Sequence, residues 1–187
     1  MDKRKVIIVT DGDMAAKAAL EVAASNIGGR CISYTAGNPT VLTGYEIVEL
    51  IKASQQDPVI VMVDDKGRKG RGAGEAAMES ILNNNDIEVL GIVAVSSDGK
   101  DCNGIKLTCS ITREGKVIGG SVDKRGVPTR NGKICGDTLS ILRGRKDLVI
   151  VGMGDPGKMD FYDSIEKGAP VTTKALEEVI KRSTVKH

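Results

Sequence analysis

The feature that most constrains this chain is a series of short apolar runs that do not alternate with polar residues: VIIVT (6–10), CISYT (31–35), VIVMV (59–63), VLGIVAV (89–95) and LVIV (148–151). A strand with one wet face alternates, whereas a run that is apolar throughout suits a parallel strand covered on both faces. The stretches between the runs have helical length. Residues 14–26 are rich in alanine, which allows close packing on a sheet, and TGYE (43–46) has the spacing of a capping box ahead of IVELIKAS. Residues 76–82 predict a third short helix, 137–142 a fourth, and TTKALEEVIKRS closes the chain as a helix. Repeated strand, helix, strand implies right-handed crossovers. The fold class is therefore α/β: a three-layer, Rossmann-like domain of Toprim or flavodoxin kind with a mainly parallel sheet.

One segment breaks this rhythm. In GIKLTCSIT, Ile105, Leu107, Cys109 and Ile111 alternate with Lys106, Thr108, Ser110 and Thr112, the signature of a half-exposed strand. The turn REGK (113–116) returns it into VIGGSV, which predicts a hairpin inserted after the fourth core strand. Residues 123–133 carry Pro128, Gly126 and Gly132 among Lys124, Arg125, Arg130 and Lys133, and read as a mobile basic loop. The organisation expected is one α/β domain over residues 1–187, with 102–133 as an inserted hairpin and basic loop.

Several function classes are excluded or disfavoured. Lys+Arg 27 against Asp+Glu 25 leaves a net charge of +2, too balanced for a chain whose main partner is nucleic acid. The longest apolar runs fall far short of the roughly 20 residues that cross a bilayer, and residues 6–9 are too short for a secretory apolar region, so neither a transmembrane segment nor a signal peptide is expected. The only histidine is His187, which removes Ser-His and Cys-His hydrolases. Cys31, Cys102, Cys109 and Cys135 form no C-x-x-C pair and read as free thiols in a reducing compartment. Cys135, beside Gly136, has the alternative reading of a reactive thiol at a helix start.

Chemistry in an open parallel sheet sits outside the carboxyl ends of the strands. Asp11 and Asp13 follow the first strand, Asp64 and Asp65 the third, and Asp155 the last long one. With strand order 2-1-3-4, the first two pairs face each other, and Asp11, Asp13, Asp64 and Asp65 become the candidate ligands of a Mg²⁺ ion. The following segment, Lys66, Gly67, Arg68, Lys69, Gly70, Arg71 and Gly72, combines turning backbone with positive charge and is the candidate surface for an anion or a partner. It lacks the P-loop order G-x-x-x-x-G-K-[ST]. The simpler roles are that Asp13 and Asp65 cap helices and that the basic segment is a solvated loop. GMGDPG places Gly152, Gly154 and Gly157 in the G-x-G-x-x-G pattern, but no strand follows it, and Asp155-Pro156 suits a tight turn. Thr138 and Ser140 lack a base partner and read as helix surface or cap.

Taken together, VIIVTDGD, VDDKGRKGRGAGE, GVPTRNGKICGDTLSILRG and VGMGDPGKMD resemble the stage V sporulation protein AE family over essentially the whole chain. The resemblance implies a soluble accessory of a spore inner-membrane complex, acting in sporulation, germination and calcium dipicolinate movement, with membrane proteins of the spore inner membrane as partners and a peripheral location. It implies no catalytic residues and no established cofactor. A weaker likeness is to Toprim domains, which have acids after their first and third strands and use Mg²⁺ for phosphoryl transfer. That pattern wants a glutamate after the first strand, where this chain has Thr10-Asp11-Gly12-Asp13, and an Asp-x-Asp pair after the third, where it has Asp64-Asp65-Lys66. The two readings are thus a non-enzymatic docking protein using its basic loops, and a Mg²⁺-dependent phosphoryl-transfer or nucleotide-binding enzyme. An anionic small molecule as ligand, and self-association through the hairpin, are further alternatives.

Overall fold

A computed structural model describes residues 2–68, 70–97, 103–130 and 132–185. In it the apolar runs become the centre of a sheet, made of β1 (Arg4–Val9), β2 (Arg30–Cys31), β3 (Val59–Met62), β4 (Ile87–Val95), β6 (Cys109–Ile111), β7 (Val117–Ile118) and β11 (Ile150–Met153). Their order is β2-β3-β1-β4-β11-β6-β7, parallel throughout except for the β6–β7 pair. The absence of alternation has a direct cause: Ile7 and Ile8 of β1 point to opposite faces, and each is buried in a separate core. One core, with Ile8, Ile47, Ile51, Met78 and Ile92, lies under α2 (Gly44–Ala53) and α3 (Ala73–Leu82). The other, with Ile7, Leu20, Ile60, Val93 and Leu176, lies under α1 (Met14–Asn26) and α4 (Pro170–Val185). Each fully buried side chain of this size contributes roughly 1.5–3 kcal/mol, so both layers are needed for stability. This is a three-layer, Rossmann-like α/β fold.

The helices start where their caps dictate. Asp13 Oδ1 accepts from Ala16 N at 2.8 Å at the head of α1. Thr43 and Glu46 close a reciprocal capping box at the head of α2.

Three details of topology depart from the sequence reading. The strand order is 2-3-1-4 rather than 2-1-3-4: β1, buried on both faces over residues 6–9, takes the inner place between β3 and β4, and the two-residue β2, an edge strand in either order, pairs with β3. CISYT is a strand only at its start. Thr35 then donates to Ile32 O and accepts from Met62 N, turning the chain into the 3₁₀ segment Ser33–Thr35. Residues 137–142 are not a helix; only the 3₁₀ turn Ser140–Leu142 forms, and the Glu75 carboxylate accepts from Ser140 N at its start.

The segment after β4 enters the main sheet rather than standing apart from it. β6 pairs in parallel with β11 through Val151 and Cys109, and β7 pairs with its other edge. The second face of β6 was expected to be wet, yet Ser110 and Thr112 are buried. The cover comes from β8 (Ser121–Val122), which lies against β6 and β11 and forms a hairpin with β9 (Pro128–Thr129). The stretch read as a mobile loop is this hairpin's turn: Asp123 Oδ1 accepts from Arg125 N and Val127 N. A further ladder joins β5 (Ile105–Lys106) to β10 (Lys133–Ile134).

The reading of all cysteines as free thiols is corrected at Cys135, which is disulfide-bonded and so is not a reactive thiol. Cys31 and Cys109 are free and buried, and Cys102 lies outside the described residues. Among the described residues, no helix is long and apolar enough to cross a membrane.

Candidate functional site

Because β1, β3, β4 and β11 are parallel, the segments that follow them meet at one end of the sheet. They enclose a crevice of about 160 Å³, whose lining includes Asp11, Asp13, Asp64, Ser96, Asp137 and Asp155. Lys66 and Lys158 are the cations at its wall. Five carboxylates against two ammonium groups give the crevice a negative character that the balanced whole-chain charge conceals.

The four aspartates singled out from sequence separate into distinct roles. Asp65 turns towards α3: its Oδ1 accepts from Gly74 N at 2.7 Å and its Oδ2 from Glu75 N at 3.1 Å, capping a helix whose N-cap residue, Gly72, has no side chain to do so. Asp64 bridges two loops, accepting from Gly12 N at 3.1 Å and from Lys66 N at 2.7 Å. Burial raises the pKa of both carboxyls, and the amide hydrogen bonds oppose that rise. Asp13 caps α1 through one oxygen. Asp11 is 8% exposed, and its Oδ1 accepts from Asp13 N at 3.2 Å. Desolvation, then the charge of Asp13, pushes its carboxyl up to about 7.

The group that converges is Asp11, Asp13 and Asp155, each offering an oxygen within 4.8 Å of the others. Asp155 stood apart in the sequence as an acid after the last long strand; it enters the site because β11 lies beside β4, two places from β1. Its Oδ1 accepts from Gly157 N at 2.9 Å, and its Oδ2 pairs with Lys158 Nζ. Its own amide donates to Lys124 O at 2.8 Å, so the β8–β9 turn holds it in place. Gly154 permits this contact, because a Cβ there would come within 2.5 Å of Gly126 N.

The basic segment is pinned from beneath. Lys66 N donates to Asp64, Gly67 N to Asp137, and Arg68 N to Asp65 O at 3.1 Å. The amides of Lys66, Gly67 and Arg68 are therefore satisfied by the protein's own oxygens. Lys66 and Gly67 take left-handed backbone (φ 53° and 68°), which aims their amides inward. Arg71 pairs with Glu79, while Gly70 is exposed and Gly72 half-buried; Lys69 lies outside the described residues. Asp137, Ser96 and Lys158 were missed in the sequence. The one legible sign was position, since Ser96 directly follows the apolar run of β4.

Each crevice residue falls inside the span matched by a known family. The model of that family, described as stage V sporulation protein AE1, covers residues 5–183. The chain belongs to the stage V sporulation protein AE1 family. Its role lies in sporulation. No curated protein and no solved structure matches it. In this sporulation protein the described lining of the crevice carries hard oxygen donors, a set suited to holding a cation or repelling an anion.

Proposed function

We propose that the chain is a non-enzymatic accessory of a spore inner-membrane complex. It sits peripherally, docks on membrane-embedded protein partners, and contributes to germination and to the movement of calcium dipicolinate. The observation that supports docking is the state of the loop after β3. The amides of Lys66, Gly67 and Arg68 are bound internally, while the side chains of Lys66 and Arg68 are exposed and make no ion pair among the described residues. A loop held so from below presents charge outward as a preformed surface. The absence of catalysis is supported by Asp64 and Asp65, whose four oxygens each accept a backbone amide. A Toprim-like metal would need those same oxygens.

Binding that leans on charge weakens with salt. The protein should therefore sediment with inner-membrane vesicles from sporulating cells at low ionic strength and be released at about 1 M salt, where the Debye length falls to about 3 Å. Lys66→Glu with Arg68→Glu should abolish sedimentation while leaving the melting temperature unchanged. Protein-free vesicles of the same lipids should not bind. Sedimentation that survives the double charge reversal would sink the docking reading, and magnesium-dependent phosphate-ester turnover would replace it with the enzymatic one.

A further inference from the structure

The sheet edge at β2 carries backbone groups that the protein itself does not use. The ladder to β3 takes the amides of Arg30 and Ile32, which donate to Pro58 O and Ile60 O, each at 2.9 Å. Cys31 lies between them, so its N–H and C=O point to the open side, and neither makes a hydrogen bond among the described residues. Backbone groups this close to a core are nearly always paired in folded proteins.

Hollows on the two faces of the sheet meet at this edge. One, of about 400 Å³, lies against α1 and has Glu21 in its wall; the other, of about 460 Å³, lies against α2 and is walled by Ile32, Leu50 and Ala53. Arg30 and Cys31 line both, so the hollows join across the edge. An extended chain laid along β2 sends successive side chains alternately to the two faces, and so into the two hollows.

We infer that β2 accepts an extended segment of a partner protein as an added antiparallel strand, with an apolar, a basic and an acidic residue in consecutive positions. The order follows from the walls. In an antiparallel pair, one residue of the segment makes both bonds with Cys31, and its side chain falls on the same face as that of Cys31. Cys31 belongs to the core under α1, so this side chain meets Glu21. The Glu21 carboxylate accepts from Ser33 Oγ but makes no ion pair among the described residues, which calls for lysine or arginine opposite it. The preceding residue lies beside Ile32, over the apolar wall of Leu50 and Ala53. The following residue lies beside Arg30, which is exposed and also without an ion pair among the described residues, and an acid there completes the match. A second copy of the chain cannot supply the segment from its own β2, because its Cys31 and Ile32 side chains are buried in its two cores.

The experiment is selection of a random peptide library displayed on phage against the full chain, with the Ala53→Trp variant as the counter-selected bait. Ala53 is exposed at the end of α2, so the indole fills the hollow there without entering the core, and the melting temperature should not move. Enriched peptides should share the apolar, basic, acidic order, and a synthetic copy should bind saturably and slow amide exchange at Cys31. Glu21→Lys should weaken that peptide on the order of tenfold, and exchanging the peptide's basic residue for glutamate should restore binding to this variant. Methylating the peptide nitrogen that donates to Cys31 O should abolish binding. Four results would each overturn the inference: no enrichment over Ala53→Trp; binding that leaves exchange at Cys31 unchanged; affinity indifferent to Glu21→Lys; or a Cys31 amide protected without peptide as protein concentration rises, which would give the edge to a second copy. The selection uses no vesicles and leaves Lys66 and Arg68 intact, so this inference and the docking reading fail separately.

Discussion

Asp11→Asn should make the ion-free protein more stable, and by an amount that depends on pH. Burial and the charge of Asp13 lift the Asp11 carboxyl from an ordinary 3.8 to about 7 in the folded chain. The folded state therefore binds more protons than the unfolded one between those values, and stability falls as pH rises through that window. Above pH 7 the accumulated penalty is about 4 kcal/mol as an upper bound, and below pH 4 it is absent. Asparagine carries no charge, and its side-chain oxygen can still accept from Asp13 N, so it escapes the penalty while keeping the contact. Urea melts in chelator should then show the variant more stable than wild type by about 2–4 kcal/mol at pH 8 and equal to it near pH 4. A variant that is no more stable at pH 8, or that gains equally at both ends, would refute the account of Asp11 as a carboxylate held in an unfavourable field.

Two other substitutions test the scaffold around the crevice. Gly74→Ala places a Cβ within 2.7 Å of the Asp64 backbone, so α3 must shift away from the end of β3; thermal melts should show a loss of about 1–3 kcal/mol, larger than helix propensity alone would allow in the opposite sense. Glu75→Ala removes the buried acceptor of Ser140 N and Ser140 Oγ, bonds of 2.5 and 2.7 Å, and should cost about 2–4 kcal/mol in denaturant melts while raising amide exchange across 137–142. A neutral outcome for Glu75→Ala would show that the 3₁₀ turn is held by something else.

What could be read from the sequence followed from local chemistry. The apolar runs at β1, β3 and β4 announced strands buried on both faces, and Thr43 with Glu46 announced the start of α2. Asp13 and Asp65 met their simpler description as helix caps, although nothing local showed that Asp65 would serve α3 from nine residues upstream. Long-range pairing was not legible. Ser110 and Thr112 carry the alternation of a wet face, and only a hairpin folded over them later in the chain makes that face dry. The acids after β1, β3 and β11 look alike in sequence, and what distinguishes them is which free backbone amides happen to lie within reach. Asp64 and Asp65 meet two each, whereas Asp11 meets one and keeps an oxygen for the crevice.

The position of β11 between β4 and β6 also dictates an order of assembly. β1 to β4 can pair as soon as they leave the ribosome, but β6, although made earlier than β11, has no place in the sheet until β11 arrives to separate it from β4. Such delayed long-range closure is the slow part of folding. Asp155 comes with that last strand. A nascent chain stopped short of residue 150 would thus lack β11, α4 and Asp155 together: β4 would be without its second neighbour, one core without half its cover, and the crevice without its third wall.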